Sequence, residues 1–236
     1  MSSFDTQHIC TIALVGQGGS GKTTLIESLL AHTGAIGAVG SIERGSTVCD
    51  YDPREKEHSH SVKLAVTNIT HDNTLIYLLD TPGYLDFVGQ SLPALSAVET
   101  AAIVINAPSG VELMTRRMMN WAKSRDLCRV IIINRIDADG VDLKRLLSDI
   151  QTEFGPECLP INLPAKNGAE IIDCFFQPDG ESDLIPVAEA HTSLVDQVVE
   201  VDEELMSLYL EQGHITPEQL HEPLSLHPRA RMARRI

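Results

Sequence analysis

The stretch Gly16-Gln17-Gly18-Gly19-Ser20-Gly21-Lys22-Thr23 decides the fold. It follows the apolar run Ile9–Val15 and precedes residues 23–32, where leucines and an isoleucine recur at helical spacing. A GxxxxGK[ST] pattern between a strand and a helix predicts a phosphate-binding loop, because glycines let backbone N–H groups surround phosphate oxygens at the positive end of the helix. Lys22 is expected to reach the β- and γ-phosphates and the Thr23 hydroxyl to bind Mg²⁺. A ligand-free glycine-rich turn is the alternative.

A second motif, Asp80-Thr81-Pro82-Gly83, follows the apolar run 75–79. A carboxylate at the end of a strand can hold a metal ion through water, and the N–H of Gly83 can respond to the presence of a γ-phosphate. Taken alone, this tetrapeptide is only a turn. In this position after the first motif, it predicts the second half of a nucleotide site.

The third motif, Asn134-Arg135-Ile136-Asp137, follows the apolar run 130–133. Guanine offers two donors that the Asp137 carboxylate can accept, whereas adenine presents an acceptor at the same place and would be repelled. Asn134 is expected to brace the loop, and the Arg135 stem to cover the face of the base. The order of the three motifs favours GTP or GDP over ATP, with an ATP-using P-loop kinase as the alternative.

The three motifs together predict one nucleotide site. Its residues are Gly16, Gln17, Gly18, Gly19, Ser20, Gly21, Lys22, Thr23, Thr24, Asp80, Gly83, Asn134, Arg135 and Asp137.

The remaining pattern predicts an α/β fold of the P-loop NTPase type, with a doubly wound and mostly parallel sheet. Strands are expected at 62–69, 75–79, 101–107 and 130–133, with a hairpin turn at Asp72-Asn73 and helices at 87–99, 111–124 and 142–154. From residue 156 prolines punctuate short apolar stretches, and one long acidic helix is expected over 187–211. We therefore predict a core over 1–155, a small inserted α+β subdomain over 156–222 and a basic tail over 223–236.

Composition excludes several classes of protein. The 236 residues are 43% hydrophobic and 22% charged, no apolar run reaches the ~20 residues of a membrane span, and no secretory signal precedes the first strand. Five cysteines form no CxxC pair, which favours reduced thiols in the cytoplasm. Residues 167–228 hold 14 acids and no Lys or Arg, so neither membrane binding nor sequence-specific nucleic-acid binding is expected. A monomer is the expected state.

The motifs, their order and their spacing resemble the GTPase domain of elongation factor G and of elongation factor G-like proteins. The matching stretches are 19–25, residues 80–87 (DTPGYLDF) and residues 198–210 (VVEVDEELMSLYL), the last of which resembles a late helix of an insertion in that domain. The resemblance implies binding of GTP and Mg²⁺, hydrolysis of GTP on the ribosome, and a role in translocation or ribosome recycling.

The resemblance also assigns further residues and exposes departures. Ser61 takes the place of the family's Mg²⁺-binding threonine, so the implied metal ligands are Thr23, Ser61 and Asp80. The implied catalytic residues are Lys22, Gly83 and Tyr84, but Tyr84 stands where elongation factor G has the histidine that orients the attacking water. His58 and His60 are expected to be solvated loop residues rather than metal ligands.

The resemblance fades near Glu222. The final strand and the Ser-Ala loop of the family are missing before residues 223–236 (PLSLHPRARMARRI), which predicts a truncated domain rather than a basic nucleic-acid arm. Two other functions remain open: a nucleotide-dependent ribosome-binding module with little hydrolysis, and a non-functional remnant.

Overall fold

The computed structural model of the chain describes residues 5–200 and 203–212, and these fall into two units divided after Asn134. The sequence predicted a boundary after residue 155, and that domain boundary stays a prediction. The tail predicted over 223–236 lies outside the described residues. Within the described part of the chain, no helix is both long and apolar enough to cross a membrane.

A five-stranded sheet forms the centre of the first unit, with the strand order β2-β3-β1-β4-β5. Only the β2–β3 hairpin is antiparallel, and β3, β1, β4 and β5 are parallel. The mostly parallel sheet that the sequence predicted is therefore confirmed. The strands are β1 Ile9–Val15, β2 Ala65–His71, β3 Thr74–Asp80, β4 Thr100–Asn106 and β5 Cys128–Asn134.

The helices of the first unit connect these strands. They are α1 Lys22–His32, α2 Pro53–His58, α3 Val88–Ser96 and α4 Leu113–Ser124. Strand β3 pairs with one edge of β1, and β4, the next strand along the chain, pairs with the other edge. The direction in which strands are added therefore reverses at β1. In such sheets ligands bind beside the carboxyl ends of the strands at the reversal, where the loop after β1 lies.

The core of the first unit forms where α1 packs on the sheet. Leu14 of β1, Ile26 and Leu30 of α1, Leu78 of β3 and Val104 of β4 are all buried in one cluster. β4 is buried along nearly its whole length, which explains its continuous apolar sequence. The core therefore fixes the start of α1 against the ends of β1, β3 and β4.

Strand β2 begins at Ala65, three residues later than the sequence predicted. The backbone N–H groups of Val62 and Lys63 both donate to the Glu55 carboxylate, at 2.9 Å, and are not free for a strand ladder. Helix α2, which precedes them, was not predicted. Asp52 begins it with a capping box to Glu55 and a proline in the first turn.

The described residues of the second unit, 135–200 and 203–212, form three helices and a two-stranded antiparallel sheet. They are α5 Leu143–Phe154, β6 Asn162–Ala165, β7 Glu170–Asp173, α6 Val187–Val199 and α7 Glu203–Gln212. Leu163, Cys174, Val187 and Leu194 belong to its buried cluster.

The prediction of one long helix over 187–211 is wrong, because α6 ends at Val199 and α7 begins at Glu203. The break follows two β-branched residues, Val198 and Val199, and the acidic Glu200 at the helix C-terminus, where the dipole disfavours a negative charge.

Candidate functional site

The predicted phosphate loop joins β1 to α1, and two of its glycines are required by its geometry. Gly16 has a φ of 135°, and a Cβ there would lie 2.5 Å from the carbonyl oxygen of Val104 in β4. Gly21 begins α1 with a φ of 94°, and a Cβ there would collide with the side-chain amide of Asn134. The loop therefore closes tightly over the sheet and leaves the N-terminus of α1 at the strand ends.

Lys22 is buried inside this loop. Its Nζ donates to the carbonyl oxygens of Gly16, at 3.2 Å, and of Gln17, at 2.8 Å. Burial lowers the pKa of Lys22 to about 8, and the nearby Asp80 carboxylate partly offsets this effect. Because an ammonium has three N–H donors and these two bonds use two of them, Lys22 retains one donor for a ligand.

The three residues predicted to bind metal come together at the end of β3. Thr23 Oγ1 donates to Asp80 Oδ2 at 2.6 Å, and Ser61 Oγ lies 3.2 Å from Thr23 Oγ1. Ser61 Oγ in turn donates to Asp50 Oδ1 at 3.0 Å. Since each hydroxyl has one proton, and each proton is committed to a carboxylate, the two hydroxyl oxygens face each other with lone pairs. A cation would stabilise this arrangement.

The electrostatics of Asp80 also suit a cation. The residue is buried, and within residues 5–200 and 203–212 its Oδ1 atom has no hydrogen-bond partner. Burial raises the pKa of Asp80 to about 6, and the Asp50 and Glu55 carboxylates add to the rise, while the Thr23 hydroxyl and Lys22 oppose it.

The donor set fits Mg²⁺ and phosphate. Across the described residues, no group of three or more His, Cys, Asp or Glu could hold a metal ion by itself. Mg²⁺ is commonly held by one or two protein oxygens together with substrate phosphates and water, as Thr23, Ser61 and Asp80 would allow. The Ser20 hydroxyl in the phosphate loop is buried without a partner among the described residues, and it can donate to a phosphate oxygen.

The turn after β3 touches the phosphate loop. Thr81 Oγ1 donates to the carbonyl oxygen of Leu14 at 2.7 Å, which ties the turn to β1. A Cβ at Gly83 would lie 2.5 Å from both the backbone nitrogen of Gly18 and Nζ of Lys22. This close approach requires glycine and places the Gly83 backbone beside the predicted phosphate ligands.

Tyr84 covers Gly18, where a Cβ would lie 2.7 Å from Cζ of the tyrosine ring. Its side chain is nevertheless 44% exposed. The His60 ring packs edge-on against Tyr84, with 5.0 Å between centroids, and lies 6.0 Å from the ring of Phe87. His58 is exposed as predicted, and His60 is partly exposed, because these rings cover part of its imidazole.

Two buried carboxylates anchor the segment 36–64 that carries Ser61. Glu27 of α1 accepts the backbone N–H groups of Gly40 and Val48. Glu55 accepts three, from Asp52 at 3.0 Å and from residues 62 and 63. Hydrogen bonds from backbone N–H groups to these two carboxylates thus hold both the first and the second half of the segment.

The base-recognition motif begins at the end of β5. Asn134 Nδ2 donates to the carbonyl oxygen of Ser20 at 2.9 Å, so this side chain braces the phosphate loop as predicted. Arg135 has a φ of 58° and starts the second unit. There Asp137 is exposed and lines a cavity of about 530 Å³, together with Asn167 and Asp183 of the same unit.

The other predicted residues have more peripheral places. Gln17 Oε1 accepts the backbone N–H of Met114 at 3.2 Å, and Thr24 is exposed on α1. A Cβ at Gly19 would meet open space, although its φ of 78° favours glycine.

Sequence reasoning did not identify Glu27, Asp50 or Glu55. The spacing Asp52-x-x-Glu55, with Pro53 as the first helical residue, is a capping-box pattern that could have located Glu55. No sequence pattern marks Glu27 or Asp50, because each acts through contacts with residues distant in the chain.

Comparison with known proteins gives a consistent result. The family model described as the elongation factor Tu GTP binding domain matches residues 7–219. The chain is 36% identical over 214 residues to the elongation factor G-like protein of Mycobacterium tuberculosis, covering 84% of this chain and 30% of the relative. It is 32% identical over 220 residues to elongation factor G of Mycoplasma pneumoniae, covering 84% and 31%.

A crystal structure of a Thermus thermophilus protein matches with a TM-score of 0.80 and 36% identity, over 91% of this chain and 34% of that chain. The chain thus spans about a third of the length of these relatives.

Proposed function

The chain belongs to the family of elongation factor Tu GTP binding domains, and on this premise we propose that it binds GTP and GDP with Mg²⁺ and hydrolyses GTP on the ribosome during protein synthesis. One observation carries the proposal: Lys22, Thr23 and Ser61 converge on Asp80 at the strand ends, and Asp80 has a buried carboxylate oxygen without a partner among the described residues.

The phosphates would lie in the loop from Gly16 to Thr24. Backbone N–H groups of the loop and the N-terminus of α1 attract anions, and the buried Ser20 hydroxyl adds a donor without a competing partner among the described residues. Lys22 would exchange its bonds to loop carbonyls for phosphate oxygens. A negative ligand would also raise the pKa of Lys22, which burial lowers in the free chain.

Thr23 and Ser61 would hold Mg²⁺ through their oxygens, and Asp80 would hold it through Oδ1, directly or through water. The bound ion would neutralise the negative charge that develops on the phosphates. Asp50 would keep the Ser61 hydroxyl oriented, because it accepts the proton of that hydroxyl.

Guanine would be recognised by Asp137, with Arg135 along the face of the base and Asn134 holding the phosphate loop. A carboxylate at this point pairs with the two N–H donors of guanine and opposes the acceptor of adenine. The base preference therefore depends on one charged group.

The Asp137→Asn variant tests this base assignment, with Asp139→Asn as the matched control because both aspartates are exposed in the same turn. With Mg²⁺, we expect the wild type to bind a fluorescent GTP analogue at least about 100-fold more tightly than the ATP analogue. Asp137→Asn should remove most of that preference and Asp139→Asn should keep it. Equal binding of the two analogues by the wild type would contradict the assignment.

In hydrolysis, water would attack the γ-phosphate while Lys22 and the Gly83 N–H stabilise the charge that develops on it. Tyr84 would border the attacking water, since it lies on Gly18 beside Gly83. The measurement is release of inorganic phosphate with and without ribosomes, and ribosomes should increase the rate.

A second function is favoured by Tyr84 itself, whose ring covers the phosphate loop and which, by the resemblance, stands in place of the water-orienting histidine of elongation factor G. The chain would then be a nucleotide-dependent ribosome-binding module that turns over little GTP. Tyr84→His should raise hydrolysis in that case. A rapid wild-type rate that the substitution leaves unchanged would remove this alternative.

A further inference from the structure

Hydrolysis of GTP needs a group that orients the attacking water, since phosphoryl transfer depends on positioning more than on covalent chemistry. Such a group must offer a hydrogen-bond acceptor beside the phosphate loop. Two polar side chains that reach this region are those of Tyr84 and His60, the first on Gly18 and the second on the ring of Tyr84.

The His60 imidazole is held in place by four contacts. Its ring packs edge-on against Tyr84 and also faces the rings of Phe87 and His58, and its Nδ1 lies 3.0 Å from the carbonyl oxygen of His58. The next residue, Ser61, lies against Thr23. These contacts fix the ring against Tyr84, which lies on the phosphate loop, and place the backbone after His60 beside Thr23 at the site proposed for Mg²⁺.

The hydrogen bond to His58 also determines which ring nitrogen is available. A carbonyl oxygen can only accept, so Nδ1 of His60 carries the proton in this bond. In the neutral imidazole Nε2 then has the free lone pair, and no hydrogen bond to Nε2 occurs within the described residues. His60 therefore presents an acceptor, whereas a tyrosine hydroxyl must share its oxygen between donating and accepting.

We propose that His60 orients the attacking water by accepting its hydrogen bond at Nε2, with the Tyr84 ring as the platform that holds the imidazole beside the phosphate loop. This role rests on the proposed GTP hydrolysis. In the reaction the water oxygen forms a bond to the γ-phosphorus, and the bond from that phosphorus to the β–γ bridging oxygen breaks. GDP leaves with that electron pair, one water proton stays on inorganic phosphate, and the other passes to solvent.

The test compares His60→Ala, His60→Gln and Tyr84→Phe, with His71→Ala as the control. His71 is a suitable control because it is an exposed histidine at the hairpin end of β2, where it lies beside the exposed Asp72. Two quantities are measured for the full chain with Mg²⁺: the dissociation constant of a fluorescent GTP analogue, and the single-turnover rate of GTP cleavage with ribosomes.

We expect His60→Ala to lower the cleavage rate about 100-fold while the dissociation constant changes less than about threefold. His60→Gln should recover at least a tenth of the wild-type rate, because its amide oxygen is also an acceptor. His71→Ala should cleave GTP at close to the wild-type rate, and Tyr84→Phe should lose less activity than His60→Ala because it keeps the ring.

A second readout needs no nucleotide. In a long-range ¹H–¹⁵N spectrum of the imidazoles at pH 8, His60 should be in the Nδ1-protonated form, and His60→Gln should remove that resonance and no other. An Nε2-protonated His60 would overturn the inference, because the lone pair would then point at His58.

The kinetic outcomes separate the two proposals. If the wild type cleaves GTP and His60→Ala cleaves it equally fast, the role of His60 is wrong and the proposed GTPase stands. The same follows if Tyr84→Phe is the more damaging variant, or if tighter or weaker GTP binding accounts for the whole effect. If the wild type neither binds nor cleaves GTP, both proposals are wrong.

Discussion

Replacing Asp80 by asparagine should stabilise the nucleotide-free chain at neutral pH while it abolishes Mg²⁺-dependent nucleotide binding. Asp80 is buried, one of its oxygens has no partner among the described residues, and its pKa rises from an ordinary 3.8 to about 6. The Asp80 carboxyl thus holds its proton more tightly in the folded chain than in the unfolded chain. The protonated carboxyl contributes its full stability to the folded chain below pH 3.8, and this contribution is lost as the pH rises through 6.

The magnitude follows from the two pKa values. Their difference of about 2 corresponds to about 3 kcal/mol, which the ionised carboxylate costs the folded chain above pH 7. An asparagine carries no charge, and its amide oxygen can still accept from Thr23. We therefore expect Asp80→Asn to unfold with a free energy up to about 3 kcal/mol higher than that of the wild type at pH 7.5. The difference should be about half as large at pH 5, where the unfolded carboxyl is ionised and the folded one is mostly protonated, and it should be small below pH 3.8.

The assay is urea unfolding of both proteins in EDTA at pH 5 and pH 7.5, with Asp86→Asn as a control on an exposed aspartate of the same loop. A difference between Asp80→Asn and the wild type that is the same at both pH values would refute the electrostatic reasoning. In a parallel melt, GTP with Mg²⁺ should raise the midpoint of the wild type and of Asp86→Asn, but not that of Asp80→Asn. An equal rise in all three would remove Asp80 from the metal site.

Three further substitutions test the site and its supports. Gly16→Ala should cost at least about 2 kcal/mol of unfolding free energy, because its Cβ would lie 2.5 Å from a strand carbonyl at a φ of 135°; a urea midpoint equal to that of the wild type would contradict this geometry. Glu55→Gln should lower the free energy of unfolding by about 2 kcal/mol. The substitution replaces one of the two carboxylate oxygens by an amide nitrogen, which cannot accept the backbone N–H groups bound to that oxygen. Glu57→Gln, on the exposed side of the same helix, serves as its control, and equal losses in the two would show that the bonds of Glu55 contribute nothing. Thr23→Val should make binding of a fluorescent GTP analogue nearly independent of Mg²⁺ and should weaken it, as measured by titration with and without EDTA, and a Mg²⁺ dependence like that of the wild type would exclude Thr23 as a ligand.

The parts of the fold that follow from local sequence patterns could be predicted from the sequence. Strand β4 is a continuous apolar run because it is buried on both faces, and the loop from Gly16 to Gly21 has glycines where φ is positive or where a Cβ would collide. The Asp72-Asn73 turn was predicted in the same way, and both residues have a positive φ as a tight hairpin requires. In each case the residue type and the conformation are linked within a few positions of the chain.

The remaining features depend on contacts between distant residues. The late start of β2 follows from the Glu55 carboxylate, which takes two N–H groups that the alternating pattern had assigned to a strand. Asp50 enters the site only because the segment 36–64 folds back on α1. The half-buried state of His60 arises from Tyr84, a residue 24 positions later whose ring could not be placed from its sequence neighbours.

The way in which Glu27 and Glu55 hold the segment 36–64 has a consequence for sequence divergence. Both carboxylates bind backbone N–H groups, which every residue except proline possesses, so they place almost no demand on the side chains of the segment. Mutations can accumulate there while the path of the chain and the position of Ser61 persist. Orthologues of this protein should therefore differ most in the segment's side chains, while they retain the two glutamates and avoid proline at residues 40, 48, 52, 62 and 63.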